Sequence, residues 1–152
     1  MPKYRILTSD ELKELEDDFV KYLVVNGITA DEWEQIKLDD ADKAGKIIDL
    51  FSDVVFEKIL RQAMFLDKVD PGVIQSIQCL KDKMILVAAK RKDVNTDLTK
   101  VDLKELTTEE VELVKGEKEY SKTREMEMFK LIESGYEISD GSLFKGLILA
   151  TV

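Results

Sequence analysis

The stretch from Lys46 to Leu66, KIIDLFSDVVFEKILRQAMFL, constrains the fold most, because it is a long apolar run with no Gly or Pro inside it. Ile47, Leu50, Phe51, Val54, Phe56, Ile59, Leu60, Ala63 and Met64 recur at three- and four-residue steps, which places them on adjoining faces of an α-helix. Ile48, Val55, Phe65 and Leu66 widen the stripe. A helix apolar over most of its girth is expected to be buried on several sides. The polar positions Asp49, Asp53, Glu57 and Arg61 fall four apart and form one seam along it. Those charges rule the run out as a membrane span.

A chain of 152 residues suits a single globular domain over residues 1–152. At that size about 70% of the unfolded surface is buried on folding, so a core needs no staples. Charged residues make up 36% of the chain and the formal charge is −9. That balance disfavours nucleic acid and anionic membranes, both of which are bound through Lys and Arg. Cys79 is the only cysteine, so no intrachain disulfide forms, which fits a reducing compartment. The opening MPKYRILTSDELKELEDDF turns acidic at once and has no apolar core of a signal peptide. A cytoplasmic location is expected. Histidine is absent. Ser-His-Asp and Cys-His catalysts, HExxH zinc sites and His-ligated haem are therefore excluded within this sequence.

Tyr4–Leu7 suits a short edge strand. Thr8 and Glu11 have the spacing of a capping box and open a helix that runs to Val25, where Asn26-Gly27 supplies the stop. Thr29 and Glu32 repeat the spacing before a short helix bearing Trp33 and Ile36. The Asp39-Asp40-Ala41-Asp42 run suits the start of the central helix. After the turn signal Asp70-Pro71-Gly72, residues Val73–Leu80 and Met84–Ala89 read as two strands joined by Lys81-Asp82-Lys83. The second strand is apolar on both faces. A polar loop follows over 93–106. Val111–Lys115 reads as a third strand, with a helical turn as the alternative. Ser121 is expected to cap a helix with Met126, Phe129, Leu131 and Ile132 inward, ended by Gly135. The tail is either a hairpin about Asp140-Gly141 or, preferred here, a helix capped by Ser139 and carrying Leu143, Phe144, Leu147 and Ile148. The expected fold is α+β: a central buried helix, with two or three further helices packed on a small, mainly antiparallel sheet.

There is no Gly-rich phosphate loop, GxSxG or CxxC, and no catalytic residue or cofactor is nominated. Candidate oxygen ligands for a divalent metal are Asp49, Asp53 and Glu57 on the seam. Candidate binding residues are Trp33, Arg61 and the basic run Lys90, Arg91 and Lys92. The leading function is a non-catalytic interaction or regulatory protein with a protein partner. The alternatives are a carboxylate-based, metal-dependent enzyme and a small-molecule binder with a pocket between sheet and central helix. Oligomeric state is open.

Four segments carry a family resemblance: Tyr-Arg-Ile-Leu-Thr at 4–8, Ile-Thr-Ala-Asp-Glu-Trp at 28–33, Leu-Phe-Ser-Asp-Val-Val-Phe-Glu at 50–57 and Ile-Ser-Asp-Gly-Ser-Leu-Phe-Lys at 138–145. Together they resemble a small protein family of unknown function from Bacteroidetes, over nearly the whole chain. The resemblance implies a bacterial cytoplasmic protein of similar length and transfers no activity.

Overall fold

The computed structural model describes residues 1–150. Four helices come first: α1 (Ser9–Glu14), α2 (Glu16–Val25), α3 (Ala30–Asp39) and α4 (Ala41–Gln62). Strands β1 (Phe65–Val69), β2 (Val73–Cys79), β3 (Lys83–Arg91) and β4 (Val111–Glu119) follow, then α5 (Arg124–Glu133), β5 (Glu137–Ser139) and α6 (Ser142–Ala150). Among the described residues the fold is α+β, with six α-helices and one five-stranded sheet in the order β4-β3-β2-β1-β5. Every strand pair is antiparallel. The chain forms two compact units, Met1–Ile59 and Leu60–Val152.

The first unit is helical and closes on Leu7, Phe19, Leu23 and Phe51. Phe19 meets Phe51 and Trp33 edge-on, with ring centroids 4.9 and 5.1 Å away. Such tilted aromatic pairs add to plain burial. The Thr8–Glu11 capping box forms in full: the Thr8 side chain takes the Glu11 N–H, and the Glu11 carboxylate takes the Thr8 N–H. Arg5 grips the same carboxylate through both terminal nitrogens, at 2.8 and 2.9 Å. These bonds, the Arg5 guanidinium first, lower the Glu11 carboxyl from 4.5 to about 2. Glu11→Gln is expected to cost about 0.5–1 kcal/mol at neutral pH, as the lost charge towards Arg5 and the helix N-terminus, since a glutamine can still accept the Thr8 N–H. The folded-state pKa lies below the unfolded one, so this stability is complete above about 4.5 and is lost as pH falls towards about 2. Urea midpoints of the parent and Glu11→Gln proteins should therefore converge across that window. A gap unchanged at its acid end would contradict the assignment.

Three expectations for this unit are corrected. Tyr4–Leu7 forms no strand; the Lys3 N–H donates to Asp53 Oδ1 at 2.7 Å and the Leu7 N–H to Ser52 Oγ at 3.0 Å. Side chains of α4 satisfy this segment's backbone in place of a ladder. The first helix breaks at Leu15 into α1 and α2. On α4, Leu50 and Val54 stay exposed, so the buried stripe is narrower than the apolar pattern implies. The ends behave as read. Gly27, at φ +75°, completes a double bond pattern closing α2, with Ile28 N–H on Leu23 O and Gly27 N–H on Val24 O. Asp40 Oδ1 takes the Lys43 N–H at the start of α4.

In the second unit the β2–β3 pair forms with Ile74 opposite Ala89 and Ser76 opposite Val87. Val111–Glu119 is a strand, β4. One sheet face is buried on Ile74, Val87, Ala89 and Val111, with Phe144 and Leu147 of α6 and Leu98 of the 93–106 loop. Phe65 and Leu66 are not the end of the central helix; they open β1, which lies between β2 and β5. Ser121 does not cap α5: Thr123 does, and Ser121 turns to Glu127. The tail is helical from Ser142, but Glu137–Ser139 pairs with β1 as β5, and Asp140 rather than Ser139 takes the Ser142 N–H.

Candidate functional site

The basic run separates on the strand. Arg91 donates from its backbone to Gly72 O and from Nη1 to Thr96 O, each at 3.0 Å. Lys92 reaches Thr108 O at 2.7 Å and so tethers the loop before β4. Lys90 is exposed and stands opposite Val73 on β2 and Glu112 on β4.

Beside Lys90 and Arg91 the sheet is hollowed. The register sets Gln75, Ala88 and Val114 abreast across β2, β3 and β4. Leu86 stands beside Gly116 of β4, where a Cβ would touch nothing, so the flank of Leu86 is left uncovered. The hollow measures about 520 Å³ and is lined by Val73, Leu86, Ala88 and Val114, with Gln75, Gly72, Lys90 and Arg91 at its edges. Tyr136 donates its hydroxyl to Gln75 Oε1 at 2.7 Å, which fixes that amide. Burial pushes the Tyr136 phenol above its ordinary range, so it stays a donor. The lining holds two cations and no carboxylate. An apolar floor with a basic rim accepts an apolar side chain flanked by carboxylates.

The other candidates lie elsewhere. Trp33 packs on Phe19, with Lys37 Nζ over its ring at 5.8 Å. Asp53 accepts from Lys3 N, and Glu57 Oε1 accepts from Lys3 Nζ and the Tyr4 hydroxyl. Asp49 is half-buried on the same helix, and Arg61 is exposed in its last turn. Among the described residues no group of three or more Cys, Asp and Glu is gathered to hold a metal ion. Cys79 is fully buried, and burial pushes its thiol up to about 11, which makes it a packing residue. A second hollow, of about 210 Å³, lies between α6 and the sheet against Ala89, Leu113, Gly146 and Leu147. Thr107 and Thr108 are its polar lining, and no charged side chain borders it.

Lys90 and Arg91 were legible as a basic cluster. The floor was not, because Val73, Leu86, Ala88 and Val114 meet only through the pairing of three strands. The one available signal was β3, apolar on both faces; the structure leaves the Leu86 side of it partly open.

The chain belongs to a family of unknown function (DUF6495), whose family model matches residues 1–151. No curated protein and no solved structure matches the chain. No helix among the described residues is long and apolar enough to cross a membrane.

Proposed function

We propose that this protein is a non-catalytic interaction or regulatory protein of the Bacteroidetes cytoplasm. In this reading it holds an acidic protein segment through an apolar anchor in the hollow of β2, β3 and β4. The observation that carries it is the pairing of an open apolar floor, Val73–Leu86–Ala88–Val114, with Lys90 and Arg91 at its edge and no carboxylate among the lining residues, Glu112 standing across from Lys90 on β4. In a chain of formal charge −9, this is a surface of the opposite sign. Absent histidine and an inert, buried Cys79 support a binding role over catalysis. The same net charge favours a protein partner over nucleic acid or an anionic membrane. A single unpaired cysteine suits the cytoplasm.

The test is a titration of the ¹⁵N-labelled protein with short peptides in which Asp and Glu flank one Leu or Phe. Amide shifts should appear at Gln75, Ala88 and Val114, and Lys90→Glu should weaken binding about three- to tenfold. Shifts absent at these positions, or an affinity unchanged by Lys90→Glu, would overturn the reading.

A further inference from the structure

A separate hollow of about 230 Å³ lies where β4 turns into α5. Its floor is Met84 of β3 and Leu131 of α5, and its rim carries Lys118, Lys122 and Lys130. These three lysines come from a strand, a turn and a helix. Glu127 organises the place from beneath and is only 7% exposed. Its Oε1 accepts from the Ser121 N–H, from the Ser121 hydroxyl at 2.8 Å and from the Lys122 N–H at 3.0 Å. Its Oε2 lies 3.6 Å from Lys118 Nζ. Burial pushes the Glu127 carboxyl up, but the Lys122, Ser121 and Lys118 contacts outweigh it and hold the group ionised.

The turn's N–H groups are thus already used, and Glu127 is the one carboxylate among the lining residues. Three lysines, Lys118, Lys122 and Lys130, line the same hollow. The Lys122 charge is the main influence that holds the Lys130 ammonium's pKa below its ordinary value. An oxyanion placed between two such ammoniums would accept from both and remove the repulsion. We infer that this hollow binds a small multivalent oxyanion, a phosphate- or polycarboxylate-bearing metabolite, through Lys118, Lys122 and Lys130, with its apolar part against Met84 and Leu131. The inference is independent of the peptide surface described above.

Inorganic phosphate, pyrophosphate and citrate serve as probes in a side-chain NMR titration that follows the lysine ammonium signals. Saturable shifts are expected at Lys122 and Lys130, with none at Lys145 on α6. The Lys130 pKa should rise towards that of an ordinary lysine as the anion binds. Lys122→Gln and Lys130→Gln should each weaken binding roughly tenfold, as befits the loss of a charge-assisted bond. Pyrophosphate binding with citrate silent assigns the site to phosphates, and the reverse assigns it to carboxylates. Equal shifts at Lys145 and the cluster, or a Lys130 pKa unmoved by all three probes, would overturn the inference.

Discussion

Gly141→Ala is expected to destabilise the protein by roughly 2–5 kcal/mol, the sum of backbone strain and overpacking. Gly141 sits at φ +89°, a conformation that side chains rarely adopt. An added Cβ would also lie 2.6, 2.7 and 2.8 Å from Cε2, Cδ2 and Cζ of Phe65. That ring is not free to retreat, because it packs on Phe144 of α6 at 5.5 Å between centroids and belongs to β1 inside the sheet. Gly27 provides the control: it too has positive φ, at +75°, but a Cβ there meets nothing within 4 Å. Gly27→Ala should therefore show the backbone cost alone, about 1–2 kcal/mol. The excess at Gly141 should shrink when Phe65→Leu makes room. Urea unfolding of the two single variants and the Gly141→Ala/Phe65→Leu pair measures all three terms. Equal losses at Gly27 and Gly141 would contradict the ring contact.

Arg124→Ala is expected to cost roughly 3–5 kcal/mol, the usual loss when a buried charge network is broken. The Arg124 side chain is 11% exposed. Its Nη1 donates to Leu60 O at 2.9 Å, and its Nη2 to Ala63 O at 2.5 Å and Cys79 O at 3.2 Å. Leu60 lies in the last turn of α4, where carbonyls lack intrahelical partners, Ala63 directly follows the helix, and Cys79 closes β2. One guanidinium thus satisfies three carbonyls, from α4, the residue just past it and β2, while Glu125 Oε1 lies 3.7 Å away. A lysine presents a point charge without the planar fork, so Arg124→Lys should recover less than half of the loss. Arg124→Lys matching the parent in urea midpoint would show that charge, not the fork, is what matters.

Much of this fold is legible in the residues. The capping spacings at Thr8 and Thr29 locate two helix starts, and each threonine takes the expected N–H. The β-branched runs after Pro71 locate the central hairpin, because strand period and turn residues agree there. β1 was hidden for a physical reason. Phe65 and Leu66 continue the apolar rhythm of α4, and only pairing with β2 on one side and the distant β5 on the other makes them a strand. Pairing of that kind overrides local propensity. Ser121 and Thr123 both suit a cap, and the buried Glu127 decides between them by taking Ser121 for itself. The candidate site was half visible: a basic run shows in sequence, whereas the apolar floor needs the register of three strands. Lys118, Lys122 and Lys130 gave no periodic sign, since a strand, a turn and a helix bring them together.

A charge swap tests most directly the proposal that the sheet hollow binds through charge and apolar shape together. The dissociation constant of one peptide, with carboxylates flanking a Leu anchor, would be measured against the parent protein and Lys90→Glu. The same peptide with Lys in place of its acids would then be measured against both. The acidic peptide should prefer the parent protein and the basic peptide Lys90→Glu, with both preferences fading at high salt as exposed charges are screened. Peptides that bind both proteins alike, or that shift amides away from Gln75, Ala88 and Val114, would contradict it.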